Sequence, residues 1–237
     1  MKFADGRALD ALRHGFRPRQ LRAVSFSTYC VVCREHSETF SVEELLTGTG
    51  NDTGIDAIAT IVNSELIDDA QDVENLVTSS KRLDVVFVFV QAKRSATFNG
   101  ADMSNFFYGV KDFFSDKPKL TRNAEIKKHA EIANSIFSNP AQLLKKPACK
   151  LYYVTTGKWV ADKDLTGRIE SAKADLEALN LFGHIEISPI DADQLHQLYR
   201  NTTETIAVEI VFKIAAHCLT LTASRKLMLV HCLQKNI

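Results

Sequence analysis

Apolar runs with few interruptions set out the strands. LDVVFVFVQAK (residues 83–93) is β-branched and aromatic almost throughout, the pattern of a buried strand. IDAIATIVN (55–63) predicts a second strand, entered through TGTGNDTG, where three glycines in eight residues make a turn. CKLYYVTTG and HIEISPI predict two more. Spacing of three and four residues picks out helices. GADMSNFFYGVKDFF places Met103, Phe106, Phe107, Val110 and Phe113 or Phe114 on one side. Further helices are expected over 25–34, 124–138 and 163–179, and in DADQLHQLY, which opens on an aspartate cap. In SVEELL, Ser41 stands three residues before Glu44, matching a capping box ahead of a short helix. FRPRQ reads as a loop, and the acidic segment 64–82 as a loop with a helical turn at DVENLV.

Strands alternating with long helices predict an α/β chain built on a mixed sheet, with helices on both faces. The strands over 55–63 and 85–91 are expected to be antiparallel neighbours, joined in the sheet by 151–155 and 185–188. This pattern covers residues 1–212. The tail, 213–237, contains no acid and departs from it, as a truncated or non-native end would.

Composition adds few restrictions. The 237 residues are 45% hydrophobic and 24% charged, ordinary for a globular chain with enough material for a core. No secretory leader is visible, and no uninterrupted apolar run reaches about 18 residues, so a cytoplasmic protein without a membrane partner is expected. Five cysteines make no disulfide framework at this length. Cys30-Val-Val-Cys33 has no second pair to complete a zinc site, and reads as buried cysteines on a helix. Net charge is zero, but its distribution is uneven. Six basic residues lie within 1–22, ten acids within 41–84, and nine Lys or Arg against four acids within 111–150. A basic flank beside an acidic segment suits a cation site next to a polyanion groove, although charge runs are as often solvated faces.

Side chains alternate across a strand, so Phe87, Phe89, Gln91 and Lys93 share one face. If 55–63 pairs antiparallel with 85–91, Asp56 lies at the same end as Gln91 and Lys93. Taken singly, an aspartate after a glycine turn and a Gln or Lys at a strand end are commonplace. Together they form a set suited to metal-assisted phosphodiester hydrolysis. A hard cation, Mg²⁺ or Mn²⁺, takes oxygen ligands, here the Asp56 carboxylate, the Gln91 side-chain carbonyl and the Ala92 backbone. Lys93 would hold water or neutralise charge growing on phosphorus. Arg94, Lys111, Lys117, Lys119, Arg122, Lys127 and Lys128 are the expected phosphate contacts on DNA or RNA. Self-association is left open. Tyr108 on the aromatic helix is a candidate for stacking on a base, against the plainer reading of that helix as core.

GIDA followed by FVQAKR resembles the D…QxK variant of the PD-(D/E)xK nuclease motif, as in Mrr-type restriction endonucleases. More specifically, GTGNDTGIDAIATIVN…LDVVFVFVQAKRSATFNGADMSNFFYGVKDFF is similar to the N-terminal region of abortive phage infection (AIPR) proteins. The resemblance is carried by residues 40–114, with the alternation of elements continuing to 212. It implies a restriction-endonuclease-like fold, an active site at Asp56, Gln91 and Lys93, and a role in phage defence. Many relatives carry a first-helix glutamate where Phe26-Ser27 falls here. Glu35, Glu43 and Glu44 are the acids available to replace it. The alternative reading is therefore a catalytically impaired nucleic-acid-binding or scaffold module of the same fold. A third, a protein–protein module, predicts that no metal binds.

Overall fold

Asn63 and Ser64 both have positive φ, 53° and 71°. Two successive residues in that region suit a type I′ hairpin turn, for which Asn is a favoured first residue. The turn joins β1 (Ala57–Val62) to β2 (Glu65–Ile67) as an antiparallel pair, with Val62 opposite Glu65. The computed structural model describes residues 18–48 and 50–203. The basic residues Lys2, Arg7, Arg13 and Arg17 and the 213–237 tail lie outside those residues.

The other edge of β1 pairs antiparallel with β3 (Val85–Lys93), Ala57 opposite Val90. β3 pairs parallel with β4 (Ala148–Thr155), and β4 parallel with β5 (His184–Ile190). The five-stranded mixed sheet runs β2-β1-β3-β4-β5. Six helices flank it among the described residues: α1 (Pro18–Glu35), α2 (Ala70–Ser79), α3 (Gly100–Phe113), α4 (Ala124–Phe137), α5 (Lys163–Glu177) and α6 (Ala192–Thr203).

Strand alternation sorts the core into two layers. Ile58, Val62, Phe87, Phe89, Leu151 and Tyr153 pack against Met103, Phe106 and Val110 of α3, Ile126 and Ile132 of α4 and Leu176 of α5. Ala57, Ala59, Val88, Val90, Tyr152 and Val154 meet Leu21, Val24, Val31 and Val32 of α1, with Leu195 and Leu198 of α6 alongside. β1 and β3 are therefore covered on both sides, which explains their near-continuous apolar sequence. No helix among the described residues is long and apolar enough to cross a membrane.

Three local expectations change. FRPRQ is not wholly a loop: α1 begins at Pro18, where a fixed φ and a missing N–H suit a first helical position. The Ser41 capping box does not form. Ser41 Oγ donates to the Glu43 carboxylate instead, and SVEELL makes only a 3-10 turn over Glu43–Leu45. The acidic segment is more than a loop with one helical turn: it contains β2 and the ten-residue helix α2, within which the expected turn at DVENLV lies. Asp69 caps α2 by accepting from the Gln71 N–H, and Val73 is the residue the helix buries. The expected aspartate cap of α6 is present. Asp191 accepts from the Gln194 N–H while the Gln194 amide oxygen accepts from the Asp191 N–H.

Candidate active site

The site begins in the glycine-rich turn. Gly50, Asn51, Thr53 and Gly54 all have positive φ, between 52° and 80°. Asp52 stabilises the turn by accepting from the Gly54 N–H at 2.9 Å. Two helices then fix its position. Asn123, the cap of α4, donates through Nδ2 to Thr47 O (2.8 Å) and Gly50 O (3.2 Å), and through its backbone N–H to Asn51 O (2.9 Å). On α3, Gly109 lets the backbone of Thr53 lie against the helix: a Cβ there would stand 1.9 Å from Thr53 O.

Gly109→Ala therefore sets two effects against each other. Alanine favours the helix by about 1 kcal/mol, but forcing a methyl group against backbone costs about 1–3 kcal/mol. Because Asn123 holds the loop from its other side, the clash is expected to win. The variant should melt lower, by about 2–4 °C for each kcal/mol lost. Thermal melts check this, and an unchanged or raised Tm would contradict the close approach.

The chain leaves the turn at Asp56, which is 5% exposed. Its N–H donates to Val90 O at 2.9 Å, which sets it beside the end of β3. Gln91 Nε2 donates to Asp56 Oδ2 at 2.6 Å, and the Ala92 N–H to the same oxygen at 2.8 Å. Lys93 follows two residues after Gln91 on the same face, half-buried. Burial pushes the Asp56 pKa up to about 7. The Ala92 N–H and the charge of Lys93 oppose that rise, and Asp52 adds to it. The carboxylate is thus held by two donors in a place where its charge lacks solvation, so it would gain from a cation.

Asp56 and Gln91 are brought into direct contact, with Lys93 close enough for its charge to act on Asp56. The role expected of Gln91 changes in one respect. Its amide nitrogen orients the carboxylate, as does the Ala92 N–H, where only oxygens of these two residues were expected to act.

The first-helix acid is not supplied by Glu35. Its carboxylate accepts from Tyr152 Oη (2.7 Å) and Lys150 Nζ (2.8 Å) on the α1 side of the sheet. Glu43 accepts from Ser41, and Ser27 is buried.

Comparison with known proteins returns no matching family model, no matching curated protein and no matching solved structure.

The basic residues divide into two groups. Arg94, Lys117, Lys119 and Lys127 are exposed and make no ion pair among the described residues. Lys111 is paired with Asp175 at 2.9 Å and Lys128 with Asp68. Arg122 is turned inward: it donates to Asp112 O (2.6 Å) and Phe113 O (3.1 Å) and lies over the Phe113 ring. It closes the C-terminus of α3, which removes it from the expected phosphate contacts. Tyr108 is 46% exposed on α3, while Phe106, Phe107 and Phe113 around it are core. Cys30 and Cys149 are buried, and burial raises both thiols' pKa values.

Among the described residues no group of three or more His, Cys, Asp or Glu side chains is placed to hold a metal ion. Two residues of the site were missed from sequence. Asp52 acts electrostatically on Asp56, and Tyr153 lies on β4 directly beside Gln91 of β3. Neither belongs to the spacing of GIDA and QAK, and Tyr153 is recognisable only once the β3–β4 register is known.

Proposed function

We propose that the chain is a metal-dependent nuclease domain with a restriction-endonuclease-like fold, hydrolysing phosphodiester bonds in defence against phage. One observation carries the reading. An aspartate at the head of β1 is hydrogen-bonded to the Gln-Ala-Lys end of the neighbouring antiparallel strand, with the lysine on the same face. The mixed sheet with helices on both faces supports it. So does the resemblance of these two segments to the D…QxK motif and to the N-terminal region of AIPR proteins.

The donor set fits Mg²⁺ or Mn²⁺ better than a cation that needs a full protein cage. Magnesium keeps several waters and is commonly held by one or two carboxylates together with substrate phosphate. Asp56 would be the anionic ligand, with the Gln91 amide oxygen as a neutral one. A bound cation would supply Lewis-acid polarisation of the phosphoryl group and a water of lowered pKa. The chain's own part is distinct. Gln91 and the Ala92 N–H orient Asp56, and Lys93 places positive charge where the transition state accumulates negative charge.

Arg94, Lys117, Lys119 and Lys127 would contact phosphates. Counterions are released when cations meet a phosphate backbone, so affinity for DNA or RNA should fall steeply with salt. Binding titrations at several salt concentrations test this, with Ca²⁺ in place of Mg²⁺. The double variant Lys117→Ala/Lys119→Ala should bind more weakly and with a shallower salt slope. Salt-independent binding, or an unaltered slope, would count against the groove. The second reading is a catalytically impaired binding or scaffold module. It is favoured by the buried Ser27 and by the commitment of Glu35 to Tyr152 and Lys150.

A further inference from the structure

Tyr153 is wholly buried, yet its hydroxyl has no hydrogen-bond partner among the described residues. An orphaned buried hydroxyl costs about 1–3 kcal/mol, and phenylalanine would fill the same space without it. The ring is fixed by its neighbours: Phe98 and Phe106 lie with centroids 6.0 Å and 6.3 Å away. Its place in the sheet gives the hydroxyl a setting. Tyr153 is the register partner of Gln91 across the parallel β3–β4 pair. It shares the core layer of Ile58 and Phe89, which is the Gln91 side of the sheet. Asp56, Gln91 and Tyr153 therefore form one row across three adjacent strands, each about 4.8 Å from the next. Burial pushes the Tyr153 pKa up, and the charges of Asp102, in the first turn of α3, and then of Asp56 add to the rise, so that it remains a neutral O–H donor.

We propose that Tyr153 is a positioning residue of the Asp56 site, its hydroxyl holding a buried water that in turn donates to the Asp56 carboxylate. Buried polar groups without a protein partner are commonly satisfied in this way, by a water that bridges two or more of them. The bridge gives Asp56 a hydrogen bond beyond those from Gln91 and the Ala92 N–H and fixes the orientation in which it meets a cation. This role rests on the metal-dependent reading above. Loss of such an outer partner typically weakens metal affinity or activity by about 10–100-fold.

Two measurements on the whole chain test it. Mn²⁺ alone is titrated into wild type and Tyr153→Phe, followed by the fluorescence of Trp159, the chain's single tryptophan, whose ring packs on Phe98 at 4.7 Å. The variant should bind about 10–100-fold more weakly and melt only a few degrees lower, because a single water-mediated hydrogen bond has been removed and the fold is kept. Crystals of wild type should show a water within hydrogen-bond reach of both Tyr153 Oη and the Asp56 carboxylate. Equal Mn²⁺ affinity in the two proteins, or a Tyr153 hydroxyl bonded to another protein group with no such water, would overturn the proposal. Should wild type bind no Mn²⁺, the metal reading fails, and the presence or absence of the bridging water alone decides the role of Tyr153.

Discussion

Asp56→Asn is expected to abolish metal-dependent cleavage and, at the same time, to make the metal-free protein more stable at pH 8. Loss of cleavage follows from charge. Asp56 is the anionic ligand in the proposed set, and Gln91 is neutral and cannot hold a divalent cation alone. Asparagine keeps an acceptor for Gln91 Nε2 and the Ala92 N–H, so the change removes charge and little else. The gain in stability follows from burial. Folding raises the Asp56 pKa from 3.8 to about 7, so the folded state binds the proton more tightly than the unfolded state. A raised pKa contributes stability that is full below the unfolded value and is lost as pH rises through the folded one. Wild type should therefore lose stability between about pH 4 and 7 through this group, by an amount on the order of 4 kcal/mol at most. The asparagine variant has no such loss. Urea unfolding at pH 5 and pH 8 measures it: the gap between the proteins should widen towards pH 8 in the variant's favour. A variant that cleaves as fast as wild type, or a gap that does not change with pH, would contradict the role given to Asp56.

Lys93→Ala should separate chemistry from metal binding. Lys93 is half-buried at the end of β3 on the Gln91 face, and its charge acts on Asp56. In the proposed reaction it faces the developing charge on phosphorus rather than the cation. Removing one electrostatic stabiliser of that kind costs on the order of 10² or more in rate, while Mn²⁺ affinity should change little at pH 8. Single-turnover cleavage and Mn²⁺ titration on the same protein provide the two readouts. If cleavage is unaffected, the lysine is incidental. If cleavage and Mn²⁺ affinity fall together, it acts through the carboxylate and not through the transition state.

What could be read from the sequence follows from how local each signal is. β1 and β3 were visible because strands covered on both faces are apolar almost without a break. The pairing of Asp56 with Gln91 followed from alternation and one assumption about direction. β2 and the full length of α2, beyond the turn at DVENLV, were hidden because Asn63-Ser64 is a weaker turn signal than Asn-Gly, and because α2 buries only Val73 wholly. The Ser41 capping box matched in spacing, yet its serine bonds Glu43 instead. Spacing gives the residues of a cap but not the backbone that would align them. Among the basic residues, sequence could not separate exposed Lys117 and Lys119 from Arg122, whose partners Asp112 and Phe113 precede it by ten and nine residues. Tyr153 lay further out of reach, since its relation to Asp56 spans three strands and nearly a hundred residues.

The most direct test is cleavage by the wild-type chain. It is incubated with single- and double-stranded DNA and RNA in Mg²⁺, in Mn²⁺ and in EDTA, with Asp56→Asn as control. The account predicts degradation of at least one of these substrates that needs the metal and is lost in the variant. A wild-type protein that binds nucleic acid but cleaves none of the four with either metal would contradict the nuclease reading and favour the impaired module.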